Sequence, residues 1–276
     1  MKKKFPIGVF DSGVGGLTIL KEFREQMPEY DYVYLGDNAR APYGTRSFET
    51  VYRYTLQCVQ WFFVQGCELV ILACNTASAK ALRNIQQHDL PGMGKGKRVL
   101  GVLRPTTETI GLHTKNGHIG ILATPGTVNS NSYVVEMQKF FPGIQVSQHA
   151  CPMWVPLVEN REYSNPGADY FIQKDIEILL KKDPAIDTLL LGCTHYPLLL
   201  KKIESYLPKG IKIISQGPVV ADKLEDYLKR HEEIESRIST RGTCKFFTTD
   251  SPEDFDAHAD IFLGEKVNSE HVNLVS

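Results

Sequence analysis

The sequence has no apolar run long enough to cross a bilayer, no surplus of either charge and no C-x-x-C pair. Each absence excludes a class of protein. A membrane-spanning helix needs roughly 20 consecutive apolar residues, whereas the opening Phe5-Pro-Ile-Gly-Val-Phe10 is interrupted and then meets Asp11. That run reads as a first strand, not as the core of a signal peptide, even though lysines follow Met1. Basic residues number 31 and acidic residues 32, for a net charge of −1, so neither nucleic acid nor an anionic membrane is implied as a partner. A cytosolic address follows. The cysteines fall at 58, 67, 74, 151, 193 and 244, without metal-ligand spacing or a small secreted pattern. In a reducing cytosol they are free thiols. A phosphate loop is also missing. Asp11-Ser-Gly-Val-Gly-Gly16 lacks both the third spaced glycine of G-x-G-x-x-G and the Gly-Lys-Ser/Thr of a Walker loop.

What is present is organised around Thr188-Leu-Leu-Leu-Gly-Cys-Thr-His-Tyr-Pro197. An apolar strand ends in Gly192, a cluster of reactive residue types follows, and Pro197 suits the first turn of a helix over 198–207. Glu68-Leu-Val-Ile-Leu-Ala-Cys-Asn-Thr-Ala77 repeats the design. Parallel α/β sheets place their chemistry at the carboxyl ends of strands, which is where both cysteines stand. Cys58, Cys67 and Cys244 lie in helical or strand patterns without such polar neighbours and read as structural, as does Cys151.

Taken in order, strands are expected at 7–10, 32–35, 68–72, 99–103, 118–123, 144–149, 188–191, 211–214, 244–249 and around Val272, with helices between them. This alternation implies a mainly parallel α/β architecture. Leu90-Pro-Gly-Met-Gly-Lys-Gly-Lys97 reads as a linker. The chain therefore breaks near 97 and again near 208. An internal echo supports two similar halves. Gly8-Val-Phe-Asp-Ser aligns with Gly120-Ile-Leu-Ala-Thr, and Leu72-Ala-Cys-Asn-Thr with Leu191-Gly-Cys-Thr-His, at comparable separations.

One such cysteine suggests covalent catalysis. Two in matched roles suggest that one thiolate removes a proton from carbon while the opposing thiol returns one to the other face. Asp11, Ser12, Asn75, Thr76 and Thr194 are then available to fix an α-amino and an α-carboxylate group, and His195 to polarise a thiol or pair with a carboxylate. Glu159 is a further carboxylate candidate near the second cysteine. Two other readings stay open: a cysteine hydrolase with His195 as base, and an amino-acid-binding protein without catalysis. Against the hydrolase, residues two apart seldom form such a pair, and no third member is evident.

The motifs Phe-Asp-Ser-Gly-Val-Gly-Gly (10–16), Gly-Asp-Asn-Ala-Arg-Ala-Pro-Tyr-Gly (36–44), Ala-Cys-Asn-Thr-Ala (73–77), Ala-Thr-Pro-Gly-Thr-Val (123–128) and Gly-Cys-Thr-His-Tyr-Pro (192–197) occur in this order. Together they resemble the glutamate racemases of bacterial cell-wall synthesis, from the first strand to at least Asp222. The resemblance implies two pseudo-symmetric α/β domains with the active site between them, a first over 1–97 completed by 208–276 as the chain's end returns to it, and a second over 98–207. It puts the paired acid–base roles on Cys74 and Cys193, assisted by Asp11 and His195. Substrate contacts fall on Asp11, Ser12, Pro42, Tyr43, Gly44, Asn75, Thr76, Thr194 and His195. It implies neither pyridoxal phosphate nor a metal, glutamate as the substrate, and a homodimer. A related racemase of aspartate or hydantoins is the variant within the same superfamily. One departure stands out: Arg104 occupies a position where many members carry Glu.

Overall fold

The computed structural model describes residues 4–274; Met1–Lys3, with most of the basic opening of the chain, lie outside them. The strands are β1 (Ile7–Asp11), β2 (Tyr32–Gly36), β3 (Leu69–Leu72), β4 (Arg98–Gly101), β5 (His118–Ala123), β6 (Gln145–Ala150), β7 (Thr188–Gly192), β8 (Lys212–Ile214), β9 (Cys244–Thr248) and β10 (Ser269–His271). They form a six-stranded sheet, β10-β9-β2-β1-β3-β4, and a four-stranded sheet, β6-β5-β7-β8. Every pairing in both sheets is parallel. β1, β2, β3 and β7 are buried along their whole length. This suits runs such as Leu69-Val-Ile-Leu72, since strands covered by helices on both faces need no polar side.

The echo in the sequence is an echo in topology. β2-β1-β3-β4 and β6-β5-β7-β8 share one order, in which the second strand precedes the first, third and fourth. In each half the first and third strands are neighbours, and the chain reverses direction across the sheet between them. Such switch points leave a crevice at the strands' carboxyl ends. Ser12 and Cys74 stand at one, and Thr124 and Cys193 at the other.

Sheet membership moves both expected borders. β4, expected to open the second unit, is the edge of the six-stranded sheet through the register Leu69↔Arg98 to Leu72↔Gly101. β8, expected to help complete the first unit, pairs instead with β7. The crossings therefore fall after Gly101 and after Ile214. Helix Gln216–Arg230 then packs along helix Leu17–Gln26, and β9 and β10 extend the first sheet. Helix Gln216–Arg230 stops at Arg230, where His231 leaves the helical region at φ −124° and ψ 61°. Arg104 lies on helix Leu103–Ile110, not on a strand, and its Nε is 2.9 Å from Glu108 Oε1, one turn on. Among the described residues, no helix is long and apolar enough to cross a membrane.

Candidate active site

The carboxyl ends of β1, β3, β5 and β7 border one cleft of about 640 Å³, counting its open mouth. Ala73 continues β3 through its N–H, which donates to Phe10 O, before the chain turns at Cys74 into helix Asn75–Lys80. Cys74 caps that helix. Its sulfur accepts from the Ala77 N–H at 3.4 Å, and its thiol donates to Ser12 Oγ at 3.4 Å. Cys74 and Cys193 are 5% and 6% exposed, so both sulfurs are nearly free of bulk water yet line the cleft.

Cys193 follows β7, and His195 lies in a helical turn at φ −81° and ψ −27°. That turn folds the imidazole back, placing Nδ1 3.9 Å from Cys193 Sγ and 3.5 Å from Thr194 Oγ1. On the ring's other side, Nε2 is 3.0 Å from Oε1 of Glu159, the last residue of helix Trp154–Glu159. Both objections to a Cys–His partnership therefore fail here. Residues two apart do meet, and Glu159 is the third member. Close approach of the first loop secures the imidazole: a Cβ on Gly15 would lie 2.4 Å from His195 Cε1, His195 Nδ1 and Thr194 Oγ1.

Of the residues expected at the site, Ser12, Pro42, Tyr43, Gly44, Cys74, Asn75, Thr76, Cys193, Thr194 and His195 line the cleft. Asp11 does not. Its side chain is fully buried behind the wall, where Oδ1 accepts from the Gly13 N–H at 2.9 Å and Oδ2 has no partner. Two expected polar groups are already engaged. The Tyr43 hydroxyl donates to Asp37 Oδ2, so Tyr43 offers the cleft only its ring. Asn75 Nδ2 donates to Gln216 Oε1 at 2.7 Å, and Asn75 Oδ1 accepts from the Tyr133 hydroxyl at 2.6 Å. Sequence reasoning did not place Thr124, Cys151 or Val155 in the wall, where all three stand. The turn motif containing Thr124 is the signal that was available: its Oγ1 is 2.9 Å from Thr76 Oγ1, directly across the two units. All six cysteines are free, and Cys58, Cys67 and Cys244 are absent from the cleft wall.

A family model for Asp/Glu/hydantoin racemase matches residues 17–224. The chain is 39% identical over 270 residues to the glutamate racemase of Thermoanaerobacter pseudethanolicus, spanning 98% of this chain and 97% of that one. It belongs to the Asp/Glu/hydantoin racemase family. The structure agrees. Racemase isoform RacE1 from Bacillus anthracis superposes with a TM-score of 0.89 at 36% identity, covering 99% of this chain and 98% of that one. The glutamate racemase of Francisella tularensis, solved with D-glutamate, superposes with a TM-score of 0.86 at 32% identity, covering 98% of each chain.

In this amino-acid racemase the two thiols have unlike neighbours. Burial pushes Cys74 up to about 12, the Asp11 carboxylate adds to the effect, and the contacts from Ser12 and Ala77 only partly oppose it. Cys74 therefore rests as a thiol. Burial likewise raises Asp11 to about 6, against the pull of His195 and the Gly13 and Gly16 amides. For His195 burial acts the other way and favours the neutral ring, but Cys193 and Glu159 outweigh it and hold the imidazole near 10. At neutral pH an imidazolium thus faces the Cys193 sulfur, with Glu159 behind it.

Proposed function

We propose that the chain interconverts L- and D-glutamate, one of Cys74 and Cys193 removing the α-proton while the other delivers its own proton to the opposite face, and so supplies D-glutamate for peptidoglycan. The observation that carries this reading is the placement of two buried sulfurs at equivalent strand ends of two like-ordered sheets, bordering one cleft. A carbanion held between them is planar at Cα. A proton returned from the side opposite its departure inverts the centre. Cys193, with an imidazolium as counter-ion, is the base in one direction, and Cys74 is the acid. Once the proton has moved, the charge sits on Cys74 and the roles are exchanged. Asp11 acts through Cys74: its buried carboxylate opposes loss of the Cys74 proton and so holds Cys74 as the acid. Two thiols suffice for both transfers, so the mechanism calls for no cofactor.

Ser12, Thr76, Thr124 and Thr194 supply hydroxyls for the substrate's polar groups, and Pro42, Tyr43 and Gly44 form the adjoining wall. Asn75 contributes through its backbone, because its amide is engaged elsewhere. The reading places the enzyme in the cytoplasm, where thiols stay reduced, and as a homodimer by analogy with the family.

Incubation with L- or D-glutamate in deuterated water, without added cofactor, tests this. Both enantiomers should converge on the racemate with deuterium at Cα, and Cys74→Ser and Cys193→Ser should each abolish convergence. Absence of both racemisation and exchange on glutamate would overturn the reading. The line Cys193–His195–Glu159 is also that of a thiol nucleophile with its base. A trapped acyl-enzyme on Cys193 would favour that second reading.

A further inference from the structure

Outside this acid–base machinery, one group of metal-ligating side chains comes together among the described residues. His149 on β6, Cys151 just beyond it and Asp175 on helix Pro166–Lys182 bring a ring nitrogen, a sulfur and a carboxylate oxygen within 4.8 Å of one another. His149 Nε2 is 2.9 Å from Asp175 Oδ1, and the Cys151 thiol, which lies within 4.8 Å of both, donates to His149 O at 3.9 Å. These are interior groups: Cys151 is 1% and Asp175 5% exposed, and the His149 side chain 15%. No spacing along the chain announces them, because Asp175 comes from a different element.

We propose that His149, Cys151 and Asp175 form a binding site for a divalent cation of the zinc class, and that the bound ion slows the racemase. One imidazole, one thiolate and one carboxylate are a mixed donor set suited to zinc. Zinc holds such donors at about 2.0 to 2.3 Å, with a tetrahedral shape that spaces them by roughly 3.3 to 3.7 Å. The His149–Asp175 pair needs to open slightly and the Cys151 sulfur to close in. Three protein ligands leave the fourth position for water. Cys151 lines the cleft, which gives the ion a way in. On binding, the Cys151 S–H bond breaks and a sulfur–metal bond forms, with the proton passing to water; a protonated His149 likewise releases its Nε2 proton. No electron is transferred.

The route to the reacting groups is short. The Cys151 N–H donates to Ala123 O at 2.9 Å, and the hydroxyl of Tyr196, the residue after His195, donates to Cys151 O at 3.2 Å. Drawing Cys151 toward His149 and Asp175 shifts the cleft wall and the peptide on which Tyr196 rests. The second half of the proposal, inhibition, rests on the racemase reading; the first half does not.

Cobalt(II) is the spectroscopic probe, titrated into the Cys74→Ser/Cys193→Ser protein so that the facing thiols cannot contribute. A thiolate-to-cobalt charge-transfer band should appear at one ion per chain, vanish on further His149→Gln or Asp175→Asn substitution, and be displaced by zinc. Absence of the band, or a band unchanged by both substitutions, would overturn the site. In the parent enzyme, zinc should inhibit glutamate racemisation reversibly, with EDTA restoring it. His149→Gln alone should keep its zinc-free activity and need at least about tenfold more zinc. Equal inhibition in that variant would overturn the regulatory half. An intact cobalt band in the double-serine protein, together with a parent enzyme that leaves glutamate unchanged, would uphold the metal site and sink the glutamate reading instead.

Discussion

His195 Nε2 lies 3.0 Å from Glu159 Oε1, a contact that ties helix Trp154–Glu159 to the turn carrying the second cysteine. Burial alone would favour the neutral imidazole; the Cys193 sulfur and this carboxylate reverse that and hold the ring near 10. Because the folded value is raised, the associated stability is present below the ordinary histidine range and is lost as pH rises through about 10. Glu159→Gln removes one of the two supports, so the alkaline limit of kcat/KM should move to lower pH. One unit of movement corresponds to a loss of about tenfold at a fixed pH on that limb. The loss must be equal for L- and D-glutamate, since enantiomers have the same free energy in water. A pH–rate profile in both directions checks this, and an unmoved alkaline limb would detach Glu159 from the His195 proton.

The cysteine turns are legible in the sequence because their signal is local. Four apolar residues, a small residue and a cysteine imply a buried strand and its carboxyl end without knowledge of any partner. Pairing is not local. Gly94 and Gly96 do adopt the positive φ values of 117° and 91° that a glycine-rich linker suggests, but the chain only turns back into the same sheet at β4. Side-chain satisfaction is not local either. The types of Tyr43 and Asn75 mark them as polar contacts, and only the fold shows Asp37, Gln216 and Tyr133 consuming those atoms. His195 illustrates a third limit: its helical backbone, not its distance along the chain, brings Nδ1 to Cys193.

Asp11 should leave a signature in stability as well as in rate. Its carboxyl is fully buried and raised from 3.8 to about 6, chiefly by desolvation. The folded state therefore holds this proton more tightly than the unfolded chain. The stability it contributes is complete below about 4 and is lost as pH rises through about 6. A shift of about two units amounts to on the order of 3 kcal/mol across that window. Asp11→Asn should flatten this part of the stability–pH curve, measured by urea unfolding between pH 4 and 8. It should also remove the acid limb of activity near pH 6 and lower the rate by about a hundredfold, the lower end of what a positioned acid–base group supplies. An unchanged stability–pH curve would mean that Asp11 is ionised much as in water.

Gly15 is the point where the first loop presses on the second unit. A methyl group there meets His195 and Thr194 at 2.4 Å, far inside van der Waals contact. Overpacking of this kind costs about 1 to 3 kcal/mol and is relieved by movement of the softer partner, here the imidazole. Gly15→Ala should displace His195 from Cys193 and lower kcat by about a hundredfold or more, with a modest fall in Tm. Alkylation of Cys193 by iodoacetamide near neutral pH should slow relative to that of Cys74. Parent-like kinetics in a folded variant would show that the ring can move without consequence.

Behind Cys74, Asn75, Tyr133 and Gln216 form a closed hydrogen-bonded ring. Asn75 Nδ2 donates to Gln216 Oε1 at 2.7 Å, Gln216 Nε2 to the Tyr133 hydroxyl at 2.7 Å, and that hydroxyl to Asn75 Oδ1 at 2.6 Å. Gln216 Nε2 also donates to Thr106 Oγ1 at 3.0 Å. All four residues are at most 3% exposed, so no water replaces a lost partner. Asn75 belongs to the turn after β3, Tyr133 to helix Ser132–Phe140 between β5 and β6, and Gln216 to the helix that follows β8. The ring thus joins the two units beside the first cysteine. Tyr133→Phe leaves the Asn75 oxygen and one Gln216 N–H without partners, each a buried group costing about 1 to 3 kcal/mol. The midpoint of urea unfolding should fall accordingly, and KM for glutamate should rise more than kcat falls, because the spacing of the cleft walls is loosened while the thiols stay in place. Gln216→Leu/Tyr133→Phe, which removes two members together, should cost less than the two single changes summed. Strict additivity would mean that the three contacts act separately and not as a ring.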